Sequence, residues 1–231
     1  MSMRPGFPEQ ISAVAFDLDG LMLNTEHVFA LAAENMLRKR GLAMPSDLLR
    51  RMMGRRPPEG MRTMRELTGL HDSVEDLQAE AEREFFALLD EHLETMPGLF
   101  ELLDLLESLE LPKCVATSSP RDYQLDLMNR FDLMPRFRFA LTAEDVQNGK
   151  PHPEIYLTAA ARHGVATSEL FVFEDSEAGT NAAAAAGAFV ISVPHEHSRC
   201  HNFENASRIV ESLMDAVVLD VLNRQQPAAQ V

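Results

Sequence analysis

The sequence predicts an α/β protein, a doubly wound parallel sheet interrupted just after its first strand by an α-helical insertion. Three observations carry this. Ala13-Val14-Ala15-Phe16 is a short apolar run with no polar alternation, as a strand buried on both faces requires. The roughly seventy residues that follow read as helix alone, a length greater than a simple crossover needs. From Met96 onward, apolar runs of strand length alternate with amphipathic segments, the rhythm of successive βα units.

Each element has its own local reason. After the first strand a helical pattern runs from about Glu26 to Arg40 and stops at Gly41, a residue suited to a helix C-terminus. Further helices are expected over Ser46 to Met53, Pro58 to Leu67 and Ser73 to Glu94. Ser73 with Asp76 marks the start of the last, where acids favour the helix dipole. Then come a helix from Leu99 to Leu109, a strand from Lys113 to Ala116, a helix near Tyr123 to Phe131 and a short run from Phe137 to Leu141. Pro153 opens a helix ending at Gly164, and Leu170 to Phe173 is the next strand. The Ala-rich segment Glu177 to Ala186 reads as a helix that packs closely, stopped by Gly187. Phe189 to Val193 is a strand stopped by Pro194, and one amphipathic helix is expected from Ala206 to Asn223. The tail from Gln225 to Val231 is expected to fray. The implied division is a core of residues 1–24 and 95–231 with a helical domain at 25–94.

Composition narrows the partners. At 231 residues and 45% hydrophobic, the chain has apolar material for one good core and a smaller satellite. A formal charge of -15 argues against nonspecific binding to nucleic acid or anionic membranes, so neither is expected as a partner. A phosphorylated small molecule stays compatible, because a metal and a few basic residues invert the potential inside a cleft. Cys114 and Cys200 make no disulfide framework, and Cys114 reads as a small buried hydrophobe. With no stretch of signal-peptide or membrane-spanning character, a cytoplasmic protein is expected.

In a parallel sheet the strands' carboxyl ends share one edge, where ligands bind. The first end carries Asp17 and Asp19 with Gly20 to turn the backbone. Close carboxylates repel unless a cation neutralises them, so this D-x-D-G suggests an oxygen-ligated hard ion, most simply magnesium. On its own it is equally an Asp-rich turn. The second end carries Thr117-Ser118-Ser119, hydroxyls and N–H groups that suit phosphate oxygens, although alone they are an ordinary turn or helix cap. Lys150 follows Gly149 on a turn made rigid by Pro151 and Pro153. Glu174 and Asp175 end the strand over Leu170 to Phe173. Singly, the lysine is a solvated side chain and the acids a helix N-terminal charge. Together they place carboxylates, hydroxyls and a cation on one rim.

With these residues in view, the sequence resembles the haloacid dehalogenase superfamily, whose four motifs match Asp17-Leu18-Asp19-Gly20, Thr117-Ser118, Lys150-Pro151 and Glu174-Asp175. The similarity spans nearly the whole chain and is greatest to the branch holding β-phosphoglucomutase, small sugar-phosphate phosphatases and pseudouridine-5'-phosphatase. Met52-Met53-Gly54-Arg55-Arg56 and Val172-Phe173-Glu174-Asp175 look most like the last. The resemblance implies a Rossmann-like core with a helical cap. The activity it implies is magnesium-dependent hydrolysis of a small phosphorylated metabolite, a sugar phosphate or nucleoside monophosphate. Asp17 would be the nucleophile and Asp19 the general acid and base. Thr117, Ser118 and Lys150 would hold phosphate. The metal would lie among Asp17, Asp19 through its carbonyl, Glu174 and Asp175. Arg55 and Arg56 fall where the family has a cap specificity loop, and could equally be surface charge. A monomer or weak homodimer is expected.

Alternatives within the superfamily are a phosphohexose mutase, a 2-haloacid dehalogenase and a non-catalytic phosphate-binding protein. The first is weakened because Phe29, not histidine, aligns with the mutases' cap histidine, with His27 nearby. Asn24 stands where many relatives have a second aspartate. His195, His197, Cys200 and His201 form a loop cluster whose spacing matches no standard zinc pattern, which favours a solvated loop near the substrate entrance.

Overall fold

The computed structural model describes residues 6–52 and 57–225. Six parallel strands form one sheet: β1 (Ala13–Phe16), β2 (Lys113–Ala116), β3 (Phe139–Leu141), β4 (Leu170–Glu174), β5 (Phe189–Ser192) and β6 (Arg208–Ile209), in the order β3-β2-β1-β4-β5-β6. The chain builds outward from β1 through β2 to β3, then returns to the other side of β1 with β4. The strand order therefore reverses between β1 and β4, the crevice where doubly wound sheets bind ligands. Phe16 is in register with Val115 on one side and Phe173 on the other, so Asp17 stands level with the ends of both neighbours.

The nine helices of the described residues, numbered in chain order, are α1 (Thr25–Lys39), α2 (Leu48–Met52), α3 (Pro57–Thr68), α4 (Val74–His92), α5 (Leu99–Ser108), α6 (Arg121–Asn129), α7 (Glu154–His163), α8 (Glu177–Ala186) and α9 (Ala216–Asn223). Two compact units result. The first takes residues 6–22, 95–195 and 201–225; the second takes 23–94 and 196–200.

In the first unit, alternate strand residues go to opposite faces. Ala13, Ala15, Cys114, Ala116, Leu170 and Val172 form one buried cluster with Ile155 and Ala159 of α7 and Ala182, Ala183 and Ala186 of α8. Small side chains on both partners let these helices lie close to the sheet, as the Ala-rich segment foretold. The opposite face is aromatic: Phe16 stacks on Phe173 at 5.0 Å and meets Phe137 edge-on at 5.8 Å. Cys114 and Cys200 are free thiols, and burial holds the Cys114 thiol far above its ordinary pKa.

The second unit has its own core of Ala33, Met36, Leu37, Leu48, Met61, Met64, Val74 and Leu77. Ser73 caps α4 by accepting the Asp76 N–H, as expected. Arg40 at the end of α1 bridges Glu80 at 2.6 Å and Asp72 at 2.8 Å. Asn24 closes the unit: its backbone N–H donates to Glu94 O, its Oδ1 accepts the Glu94 N–H at 2.7 Å, and its Nδ2 donates to His92 O at 3.1 Å. An aspartate could not make the last bond. Phe29 stacks on Phe85 with centroids 4.1 Å apart.

Two expectations are corrected. The segment read as one helix from Ala206 to Asn223 splits into β6 and α9. Ser207 N–H and Val210 N–H donate to Val190 O and Ser192 O, satisfying the outer edge of β5. Helix then starts only at Asp215, whose side chain accepts the Val217 N–H. Apolar spacing alone does not reveal an open sheet edge waiting for a partner. Gln225, assigned to the frayed tail, accepts the Ile11 N–H through Oε1 at 2.9 Å; residues 226–231 lie outside the described region.

Candidate active site

β1 hands Asp17 to the crevice with its backbone still paired, for the Asp17 N–H donates to Phe173 O at 3.1 Å. The side chain is almost fully buried. Lys150 reaches it from the loop after β3. Its ammonium donates to Asp17 Oδ1 at 2.5 Å, Glu174 Oε1 at 2.6 Å and Ala116 O at 2.9 Å, which uses all three protons. The loop is itself fastened, since the Glu154 carboxylate accepts the Gln147 and Asn148 N–H groups at 2.7 and 3.0 Å.

Glu174 is the most enclosed acid, with no exposed surface. Oε1 also accepts the Tyr156 hydroxyl, while Oε2 accepts from Asp175 N, Ser176 N and Ser176 Oγ at 3.1–3.4 Å. Ser176 in turn caps α8 by accepting the Gly179 N–H. A Cβ at Gly179 would overlap the Glu174 carboxylate, so this helical glycine makes room for the acid. Asp175 meets His195 Nε2 at 3.0 Å through Oδ2. Gly20, at φ +79°, lies beneath this pair: a Cβ there would come within 2.6 Å of Asp175 Oδ2 and 2.7 Å of His195 Nε2.

Asp19 faces elsewhere. Its Oδ2 accepts from Ser119 Oγ at 2.6 Å and its Oδ1 from Tyr123 Oη at 2.8 Å. Thr117, buried at the end of β2, has Oγ1 at 3.4 Å from Asp19 Oδ2 and accepts the Ser119 N–H at 3.0 Å; Ser118 beside it is exposed.

Asp17, Glu174 and Asp175 offer carboxylate oxygens all within 4.8 Å of one another. Burial pushes Asp17 well above the ordinary carboxylate range; Lys150 opposes this, and the charges of Glu174 and Asp175 add to it. Asp175 is raised in the same way, by burial and then by Glu174. Burial works against the Lys150 ammonium, yet Asp17 and Glu174 overcome it and hold its pKa well above the usual lysine value. Three carboxylates against one ammonium leave surplus negative charge in an all-oxygen cluster, the donor set a hard divalent cation takes.

The haloacid dehalogenase-like hydrolase family matches residues 14–193 of the sequence. The chain belongs to that family. A phosphorylated carbohydrates phosphatase of Thermotoga maritima is 34% identical over 177 residues, covering 77% of this chain and 82% of the relative. A Drosophila melanogaster relative, provisionally named a pseudouridine-5'-phosphatase, is 34% identical over 212 residues, covering 89% of this chain and 91% of its own. Among solved structures, a Thermotoga maritima protein provisionally named a β-phosphoglucomutase superposes with a TM-score of 0.76 at 30% identity, over 92% of this chain and 97% of that one.

Against this family frame, the structure brings Asp17, Lys150, Glu174 and Asp175 into one cluster and sets Asp19 and Thr117 beside it. Arg55 and Arg56 lie outside the described residues. Asp19 does not join the carboxylate cluster by its side chain, which leaves only its carbonyl for the metal role the resemblance implied. Sequence reasoning assigned no role to Tyr123 or Tyr156; it gave Ser119 to phosphate oxygens, whereas its hydroxyl bonds Asp19, and it read His195 as part of a solvated loop, whereas the ring is partly buried against Asp175. Nothing in the sequence marks Tyr156, and only the fold aims its hydroxyl at Glu174.

Proposed function

We propose that this chain is a magnesium-dependent phosphomonoester hydrolase acting on a small phosphorylated metabolite, a sugar phosphate or nucleoside monophosphate. The observation that carries the reading is a buried Asp17 carboxylate gripped by Lys150 at the sheet's switch point, with Asp19 two residues on under hydroxyl donors. The names of the relatives, phosphatases of phosphorylated carbohydrates and of pseudouridine phosphate, set the substrate class.

Lys150 occupies Asp17 Oδ1, so Oδ2 is the oxygen available to attack phosphorus. An oxygen–phosphorus bond forms as the ester's leaving oxygen departs, and Asp19 gives that oxygen its proton. Asp19, now a carboxylate, takes a proton from water, the water oxygen attacks phosphorus, and Asp17 is released with inorganic phosphate. Thr117 Oγ1 and the Ser118 N–H are assigned to the transferring oxygens, and Lys150 offsets their charge. A magnesium ion held by Asp17, Asp175 and the Asp19 carbonyl would supply the neutralisation that lets an anion approach a phosphate dianion. With five donors already on its two oxygens, Glu174 is assigned an indirect part, orienting Lys150 and Asp175.

The insertion at 25–94 belongs to this proposal as a cap domain on a core of 1–24 and 95–231, in a cytoplasmic protein that is a monomer or weak homodimer. Among the described residues no helix is long and apolar enough to cross a membrane. Phosphate release from a panel of sugar phosphates and nucleoside monophosphates, with magnesium and with EDTA, tests the activity. Asp17→Asn should abolish turnover. Release that ignores both EDTA and this substitution would sink the proposal. The 30% identical β-phosphoglucomutase relative motivates a second reading, phosphate transfer within a hexose phosphate. A coupled assay for glucose 6-phosphate made from β-glucose 1-phosphate separates the two. Hydrolysis is favoured because the position expected to hold the mutases' cap histidine is Phe29, spent on stacking with Phe85.

A further inference from the structure

Asp17 and Asp19 are held by different chemistry. Asp17 is gripped by an ammonium, whereas Asp19 accepts neutral hydroxyls on both oxygens: Ser119 Oγ at 2.6 Å and Thr117 Oγ1 at 3.4 Å on Oδ2, and Tyr123 Oη at 2.8 Å on Oδ1. A carboxylate bonded through one oxygen still swings about its Cβ–Cγ bond. Bonded through both, it is fixed in plane as well as position. The two closer donors also come from different places. Ser119 lies in the loop after β2, while Tyr123 is the third residue of α6. Helical side chains lean toward the helix N-terminus, which carries the Tyr123 ring back toward that loop. The start of α6 is anchored in turn: the Arg121 N–H donates to the Glu144 carboxylate at 3.2 Å, and the Arg121 guanidinium meets Asp145 at 3.0 Å. The phenol therefore ties the Asp19 carboxylate to an anchored helix end rather than to its own turn.

We infer that Tyr123 is a positioning residue for Asp19: its hydroxyl sets the plane in which that carboxyl group gives a proton to the leaving oxygen and takes one from water. The inference rests on the acid–base role proposed for Asp19. General acid help matters most when the leaving oxygen is basic, so a misaligned Asp19 should penalise a sugar phosphate far more than an aryl phosphate, whose phenolate departs without a proton.

The test compares Tyr123→Phe with the parent, full chain with magnesium, as kcat/KM on an alkyl phosphate such as a sugar phosphate and on para-nitrophenyl phosphate. The variant should lose roughly tenfold or more on the alkyl ester, on the scale set by a sub-ångström misplacement. It should lose less than about threefold on the aryl ester, with KM within about twofold and an unchanged melting temperature. Equal losses on both esters, or no loss on either, would overturn the inference. If the parent cleaves neither ester, the hydrolase reading fails by itself. The contact is then judged by a double-mutant cycle of Tyr123→Phe and Asp19→Ala on urea unfolding. Additive effects there overturn the inference at its root, and non-additive effects uphold Tyr123 as the group that orients the Asp19 carboxylate.

Discussion

Replacing Lys150 by methionine keeps its unbranched stem and removes the ammonium, which makes it the sharpest probe of the carboxylate cluster. The Lys150 side chain is 5% exposed, and its partners Asp17 and Glu174 are 10% and 0% exposed, so solvent screening gives little relief. Its three hydrogen bonds include two to carboxylates, and removing one partner of a buried ion pair costs about 3–5 kcal/mol. At about 2–4 °C per kcal/mol for a chain of this size, the melting temperature should fall by roughly 6–20 °C. The assay is thermal unfolding in EDTA at pH 7.5 and again at pH 5. The variant's deficit should shrink at the lower pH, because protonation relieves the abandoned carboxylates. A variant melting within about 2 °C of the parent, or one with the same deficit at both pH values, would refute the view of Lys150 as the counter-charge of a buried acidic cluster.

The metal-free parent should itself lose stability as pH rises. Burial raises Asp17 and Asp175, so the folded chain keeps protons that the unfolded chain has released; their contribution is complete below about pH 4 and is lost as pH climbs through the raised values. In EDTA the melting temperature should therefore drop between pH 5 and pH 8. Magnesium should raise it more at pH 8 than at pH 5, and a flat profile with equal gains would count against the metal site. In the helical unit, Asn24→Asp loses the donor to His92 O and sets an anion against the carbonyl end of α4, which outweighs its favourable place at the start of α1. A loss of about 1–2 kcal/mol is expected by chemical denaturation, and an aspartate variant as stable as the parent would contradict it.

The strand ends were legible because each is an apolar run that breaks into polar chemistry, and a parallel sheet can only gather such breaks at one edge. That logic located Asp17, Thr117, Lys150, Glu174 and Asp175 without any coordinates. It could not reach groups delivered by helices. Tyr123 and Tyr156 lie on the first turns of α6 and α7, and nothing in their spacing separates a hydroxyl aimed at a carboxylate from an aromatic packed in a core. Gly179 was similarly silent, since a glycine in an Ala-rich helix signals close packing but not what approaches it. β6 escaped because two residues make a strand only when a neighbour's open edge is already there. The resemblance implied different roles for Asp17 and Asp19; the fold gives them different surroundings, an ammonium for one and hydroxyls for the other.

The bonds between Asn24 and Glu94 have a consequence for how such a chain can change. The entry and exit of the helical unit are stitched together, Asn24 N–H to Glu94 O and Glu94 N–H to Asn24 Oδ1. Within the sheet-bearing unit, the Met96 N–H donates to Met22 O at 2.8 Å. In each unit the chain departs and returns at nearly one point. The cost of closing so long a loop grows only slowly with its length, and here it is met at the stem. Lengthening, shortening or exchanging the inserted helices thus leaves the strand register almost untouched. Such a stem lets one half of the chain vary while the other keeps its carboxylate cluster in place.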